Sequence, residues 1–484
     1  MSQVHRWRAF AVLAVSFFMT IVDLTIVNVA LPTIGTKLHF SESNLQWVVT
    51  AYGVTFGGFL LLGGRAADLL GRRRVLMVGL AVFTAASLAC ALATTDGFLI
   101  AMRGIQGVGA AIVLPAALSI VMNMFEEGAE RNKALGIWGG IGAAGATVGL
   151  IAGGLLTRYV GWEYIFFLNV PIGLAALVFA PRVVPESKLE TDRRRYDALG
   201  AVSVTGGLLL LVYAISRAPQ VGWATTSTVL LLASSVLLLI GFLVVETRVE
   251  QPLMPLAIFR RKTLAGANAV GLLLGGSFFA FIFAGTLYMQ QVLGYSALKT
   301  GIVWLTASLT SVAFAGVSQL LVTRGSAKLV MAFGMALIGG GVLWASEVPV
   351  RGQFWHDLAG PFFVTGAGTA FAFIPVSIAA LAGIKEHEAG LAAGLLNTSQ
   401  QLGGAIGVAI ASTVIATQLK TLGAAGQDQA AALTGGLGWA MAVCAAIGLS
   451  GVLVTLALVR KSEIVDAVTS AGLAKPEPAL LAAD

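Results

Sequence analysis

Fourteen apolar stretches, most close to twenty residues long, follow one another along the chain with short polar breaks between them. They lie near residues 9–31, 45–64, 75–93, 97–121, 134–157, 164–181, 198–216, 226–246, 264–290, 300–322, 328–346, 358–382, 389–417 and 436–459. About twenty apolar residues in a helix match the thickness of a bilayer's hydrocarbon core. A single segment in lipid must also satisfy its own backbone hydrogen bonds. The expected fold class is therefore an all-α polytopic membrane protein with 14 transmembrane helices. Composition agrees: 11% of the 484 residues are charged, against about 25% in ordinary soluble domains. The breaks leave no room for a separate soluble domain. The first stretch is longer than the apolar region of a signal peptide and no A-x-A-like site follows it. "LPTIG" closes it with Pro32, and it reads as a retained span.

The net charge of +7 raises the question of an acidic partner such as nucleic acid. The placement of the basic residues answers it. With a cytoplasmic N-terminus, the outer loops hold only Lys37, Arg158, Arg217, Lys299, Arg351 and Lys420 of the 30 lysines and arginines. That bias is the positive-inside rule, so no nucleic-acid partner is needed. Fourteen spans then put both termini in the cytoplasm. Cys90 and Cys444 lie in spans and build neither a disulfide framework nor a zinc site. His5, His39, His356 and His387 sit at or beyond span ends, and HExxH, Walker and Gly-x-Ser-x-Gly motifs are absent. No enzyme, metal site or cofactor is indicated.

The loops at 181–197 and 247–263 are densely basic and flank spans 7 and 8. Removing that pair leaves six spans on each side. The expected organisation is a six-helix bundle over 1–181, two linker helices over 182–263, a second six-helix bundle over 264–460, and a cytoplasmic tail over 461–484. A basic loop between the second and third span of each half supports a repeat: "GGRAADLLGRRRVL" in the first and "LLVTRGSAKLV", with Arg324 and Lys328, in the second.

Asp23 is the one charge in the run from Phe10 to Leu31. A charge at membrane depth costs at least ~2.5 kcal/mol on insertion scales and marks a functional site by default. The plainer alternative is a hydrogen-bonded carboxylate that fixes packing. Ser16, Thr20 and Asp23 share a helix face, which should point into the bundle. Arg103, in "IAMRGIQGVGAA", is its expected partner. Counted from the outer surface at 1.5 Å per residue, Asp23 and Arg103 lie roughly 13 and 8 Å deep. The other option is that Arg103 reaches outward to the headgroups. If the two pair, an adjacent cation favours the charged carboxyl and desolvation favours the protonated one. Changing water access would then load and release a proton. Gln106, three residues on, can orient either group.

Further polar and small residues form four sets. Gly64, Asp68, Gly71 and Arg72 lie in the basic loop after span 2; they read as a gate on the cytoplasmic side or, for the arginines, as topology-setting charge. Gly145, Gly149 and Gly153 recur every four residues in span 5, with Gly154 beside them. Such spacing lets helices approach closely, in a static seam or one that opens. Asn397, Gln400 and Gln401 in span 13 read as polar glue between helices. Phenylalanines crowd spans 9 and 12. Packing explains most of them, while Phe278, Phe281 and Phe371, with Thr20, are candidates to line an apolar substrate cavity.

Taken together, "VDLTIVNVALP", "GGRAADLLGRRR", "RGIQGVGAA" and "GWEYIFFLNVPIG" resemble the major facilitator superfamily, specifically its bacterial drug:proton antiporters with fourteen spans, over roughly residues 8–460. The resemblance implies two six-helix bundles around a central cavity with alternating access. It implies proton coupling by Asp23 and Arg103, gating by Gly64, Asp68, Gly71 and Arg72, and a bacterial inner-membrane location. Leu150 stands where the family's span 5 motif has proline, Leu69 where a basic residue is usual, and Glu163 where arginine is common. The expected function is a monomeric, proton-driven exporter of hydrophobic small molecules, with protons, cargo and the lipid bilayer as partners. The alternatives are a carrier for an endogenous lipid, antibiotic or metabolite, moved outward or inward, and a non-transporting sensor or scaffold.

Overall fold

The computed structural model describes residues 3–40, 45, 47–125, 129–187, 197–249, 252, 254, 256–324, 326–382, 384, 389–426 and 428–460. Among them there is no strand, and 14 helices are long and apolar enough to cross a membrane. They are α1 (Gln3–Lys37), α2 (Trp47–Leu70), α3 (Arg72–Ala91), α4 (Asp96–Met124), α5 (Ala129–Tyr159), α6 (Tyr164–Val183) and α7 (Ala198–Val221). The chain continues through α8 (Thr226–Glu246), α9 (Lys262–Leu287), α10 (Ala297–Arg324), α11 (Ala327–Ala345), α12 (Ala359–Leu381), α13 (Ala389–Ala424) and α14 (Gln429–Leu458). Local chemistry sets several ends. The Thr95 hydroxyl accepts from the Phe98 amide at the start of α4, and Asp197 accepts from the Gly200 amide at the start of α7, each satisfying an otherwise orphaned donor. Several boundaries lie beyond the sequence expectation: α1 does not close at Pro32 but runs on to Lys37, α13 runs on to Ala424 and α14 starts at Gln429. Proline removes one helical donor, and membrane helices tolerate that where nearby groups satisfy the freed carbonyl.

The packing pattern is the same in two places. α1 lies against α5 and α6, α2 against α4, and α3 against α4 and α6. Eight helices later, starting from α9, the same positions meet: α9 with α13 and α14, α10 with α12, and α11 with α12 and α14. Between these sets the main contacts are α5 with α10 and α2 with α13, which are equivalent positions exchanged, as a two-fold relation requires. α7 packs on α2 and α13, while α8 packs chiefly on α7 and turns Leu230, Leu237 and Ile240 outward. In lipid such an exposed apolar face carries no penalty.

Glycine sets the close approaches. A Cβ at Gly149 would lie 2.1 Å from the Thr25 hydroxyl, and one at Gly153 2.6 Å from the Ile26 carbonyl. Gly145 meets Ile21 and Phe18. The four-residue glycine repeat thus faces α1 of its own half. Gly154, one residue round the helix, instead faces Leu298 of α10. In the second half Gly275, Gly403 and Gly407 bring α9 and α13 backbone to backbone, and Ser399 donates to Asn268 across the same seam at 3.0 Å.

Candidate functional site

The first three site residues of the sequence reading meet in one buried cluster. Asp23 is 0% exposed and Arg103 1%, and the Arg103 Nη1–Asp23 Oδ2 distance is 2.7 Å. Arg103 therefore turns inward rather than to the headgroups. Its Nη1 also donates to Gln106 Oε1 at 2.6 Å, and its Nε donates to the Val48 carbonyl at 3.0 Å. The guanidinium lies 4.4 Å from the Tyr52 ring centroid and 5.6 Å from that of Phe166, positions that favour a desolvated cation. Gln106 Nε2 donates to Asp23 Oδ1 at 2.8 Å and to Ser87 Oγ at 2.7 Å. Five helices of the first half contribute: α1, α2, α3, α4 and α6.

Asn169, on α6, is a further member. Its Nδ2 donates to Asp23 Oδ1 at 2.7 Å, and the residue is 1% exposed. Ser87 and Asn169 were not singled out from sequence. Uncharged polar residues are common in spans, whereas a lone acid or arginine is not; the asparagine inside "FFLNVP" is the one available signal. Ser16 and Thr20 are buried on the Asp23 face, but their hydroxyls donate to their own helix, at Val12 and Phe17 carbonyls.

The loop set lies at the end of the bundle that carries the basic residues. Gly64 packs against Pro115 of α4. Gly71 has φ 107° and caps α3, a left-handed conformation that suits glycine. Arg72 is buried, and its amide donates to the Ser187 carbonyl at 2.9 Å. The Arg73 amide donates to Glu186 Oε1 at 3.1 Å, with the Arg73 and Arg74 side chains 3.6 and 3.8 Å from Glu186 Oε2. The side chain of Asp68 lies outside the described residues. Glu186, absent from the sequence reading, anchors this corner; it is the first of several acids after span 6, and nothing local sets it apart.

The aromatic candidates are placed differently from the expected cavity. Phe281 is fully buried against Trp304 and Phe362, and Phe371 is packed with Phe314 and Phe333. Both fill helix seams of the second half, because their neighbours are themselves aromatic. Phe278 is partly exposed beside Phe279 and Phe373.

Comparison with known proteins follows the same lines. The family model of the Major Facilitator Superfamily matches residues 13–408. The puromycin resistance protein pur8 of Streptomyces alboniger is 36% identical over 98% of this chain and 95% of its own. The cephamycin export protein CmcT of Amycolatopsis lactamdurans is 36% identical over 82% of each. The tetracenomycin C resistance and export protein of Streptomyces glaucescens is 32% identical over 85% of this chain and 76% of its own. Among solved structures, the peptide transporter PepTSo of the POT family superposes with a TM-score of 0.67 at 14% identity, covering 93% of this chain and 97% of that one.

Proposed function

The chain belongs to the Major Facilitator Superfamily and is a multi-pass membrane transporter, not an enzyme; from that premise we propose that it exports hydrophobic small molecules in exchange for protons, with Asp23 as the proton carrier. One observation carries the proposal: a fully buried carboxylate held at 2.7 Å by an equally buried arginine. Removing one partner of such a pair costs about 3–5 kcal/mol, while replacing the whole pair by apolar residues is often neutral or stabilising. Stability alone is therefore a weak reason for a pair at this depth. A carboxyl that alternates between this enclosed ion pair and a water-exposed state changes its affinity for a proton on each exchange. The relatives named for resistance and export support outward movement, with Leu150 in place of the family's proline.

In this reading the two halves, 1–181 and 264–460, rock about the cargo, the termini and the 64–75 loop face the cytoplasm, and the protein works as a monomer in the bacterial inner membrane. A proton from outside neutralises Asp23 as cargo departs, and the return to the ion pair releases it inside. Gly64, Asp68, Gly71 and Arg72 form the cytoplasmic gate. The test is dye or antibiotic uptake into inside-out vesicles with an acidic lumen. Asp23→Asn, which keeps the shape of the side chain and an acceptor for Arg103, is expected to fold and to lose gradient-driven uptake. Uptake at the wild-type rate in a well-expressed Asp23→Asn variant overturns the reading.

A further inference from the structure

Among the described residues, every hydrogen-bond partner of the Asp23 carboxylate is a donor. Oδ2 accepts from Arg103, and Oδ1 accepts from Gln106 and Asn169. That suits a carboxylate, which only accepts, but not the acid, which has a proton to donate. Something in the shell must become an acceptor when the proton arrives.

The two amides differ in their freedom to do so. Gln106 is locked: its Oε1 accepts from Arg103, and its Nε2 donates to both Asp23 and Ser87. Ser87 is itself fixed, because its hydroxyl donates to the Phe83 carbonyl at 2.7 Å and so must accept from Gln106. Turning the Gln106 amide over breaks four bonds, counting the one that Oε1 accepts from the Cys90 thiol. Asn169 makes one. Its Nδ2 reaches Asp23, while its Oδ1 is buried with no hydrogen-bond partner. Turning that amide over brings the free oxygen to Asp23 and exchanges one unpaired buried group for another. The asparagine alone thus favours neither orientation strongly.

We infer that Asn169 is the positioning residue that follows the protonation of Asp23, its side-chain amide turning over so that nitrogen donates to the carboxylate and oxygen accepts from the acid. The inference rests on the proposed role of Asp23 and deepens it. The step balances: a proton adds to Asp23 Oδ1, the Asn169 Nδ2–H···Oδ1 bond breaks, and an Oδ1–H···Oδ1 bond from Asp23 to Asn169 forms. The titratable groups around the cluster are Asp23, Arg103, Tyr52 stacked on the guanidinium, and Cys90, whose Sγ lies 3.8 Å from Gln106 Oε1. The thiol and the phenol lie beside the pair, and among the described residues Asn169 hydrogen-bonds to Asp23 and to neither of them.

The test is a pH titration of the reconstituted full-length protein followed by infrared difference spectroscopy, with side-chain-labelled asparagine. The acid carbonyl band of Asp23 is identified by its loss in Asp23→Asn, and the Asn169 band by its loss in Asn169→Leu. As pH falls, the Asn169 carbonyl band is expected to move to lower wavenumber in step with the appearance of the Asp23 acid band. In Asn169→Leu the acid band is expected at higher wavenumber, having lost its acceptor. Asn169→Ser, whose hydroxyl both donates and accepts, returns it part of the way. An Asp23 band that is unchanged by Asn169→Leu, or an Asn169 band that ignores the titration, overturns this inference alone. No Asp23 acid band at any pH overturns both it and the proton-carrier reading.

Discussion

Arg103 is gripped through two of its nitrogens and lies against two rings: backbone at Val48, carboxylate and amide at Nη1, aromatic rings at Tyr52 and Phe166. A lysine at this place supplies the charge but not the planar fork or the stacking. Arg103→Lys is expected to insert normally and to lower gradient-driven uptake by about tenfold or more, the effect of losing one or two charge-assisted bonds at about 1.4 kcal/mol per decade. Uptake within twofold of wild type in proteoliposomes would show that charge alone suffices. Gln106→Leu leaves the ion pair but frees Ser87 and one Arg103 bond. It should destabilise the protein by about 1–3 kcal/mol, read as earlier thermal unfolding in detergent. Asp23 and Arg103 were legible in the sequence because charges in an apolar run have few explanations, and Gln106 because it lies three residues from Arg103. Asn169 and Ser87 were not, since what marks them is a partner on another helix, 146 and 19 positions away in the chain.

The helices themselves were legible from the length of each apolar run, but the ties between their ends were not. At the start of α3, Glu186 accepts the Arg73 amide and sits beside the positive end of the helix dipole. Arg73 Nη1 returns bonds to the Pro181 and Val184 carbonyls at the end of α6. In the second half, Lys328 at the start of α11 donates to the Leu456 carbonyl near the end of α14 at 2.7 Å. Third and sixth helices are thus tied by a basic side chain in both halves, which gives the weak repeat in the loop sequences a physical meaning. The partners lie more than a hundred positions apart in the chain, so no local pattern announces them. Glu186→Ala is expected to cost about 1 kcal/mol, as the loss of a helix cap does. It should also speed amide hydrogen exchange in the first turn of α3 but not at the start of α11. Equal exchange at both places would mean that Glu186 does not hold the helix. Gly71→Ala should be worse than Glu186→Ala, because its Cβ would lie 2.9 Å from Glu186 Oε1 on a backbone at φ 107°. Lower yield of folded protein than for Glu186→Ala checks it.

At the scale of the molecule, two crossings hold the halves together, and they differ in kind. α5 and α10 meet backbone to backbone: a Cβ on Gly154 would lie 2.8 Å from Leu298 Cα, and one on Gly301 2.7 Å from the Leu150 carbonyl. α2 and α13 meet more loosely, with Gly57 and Gly394 at 3.7 Å from Gln401 and Leu61 side chains. Gly154 and Gly301 sit near the helix ends opposite the basic loop, so the two halves touch on that face, the proposed outer one. A tight contact without side-chain interlock can part as a unit, since no knob must leave a hole. A contact this close also tolerates no added group. Gly301→Val is therefore expected to wedge α5 from α10 and to favour the state open on that face. Spin labels at Tyr159 and Lys299, both exposed near these ends, read the separation directly. The wild type should populate a short distance and a longer one, with acid pH changing the ratio, and Gly301→Val should shift the population to the longer. A single short separation in both proteins at every pH would mean that this face does not open, and rocking of the halves could not be how cargo crosses.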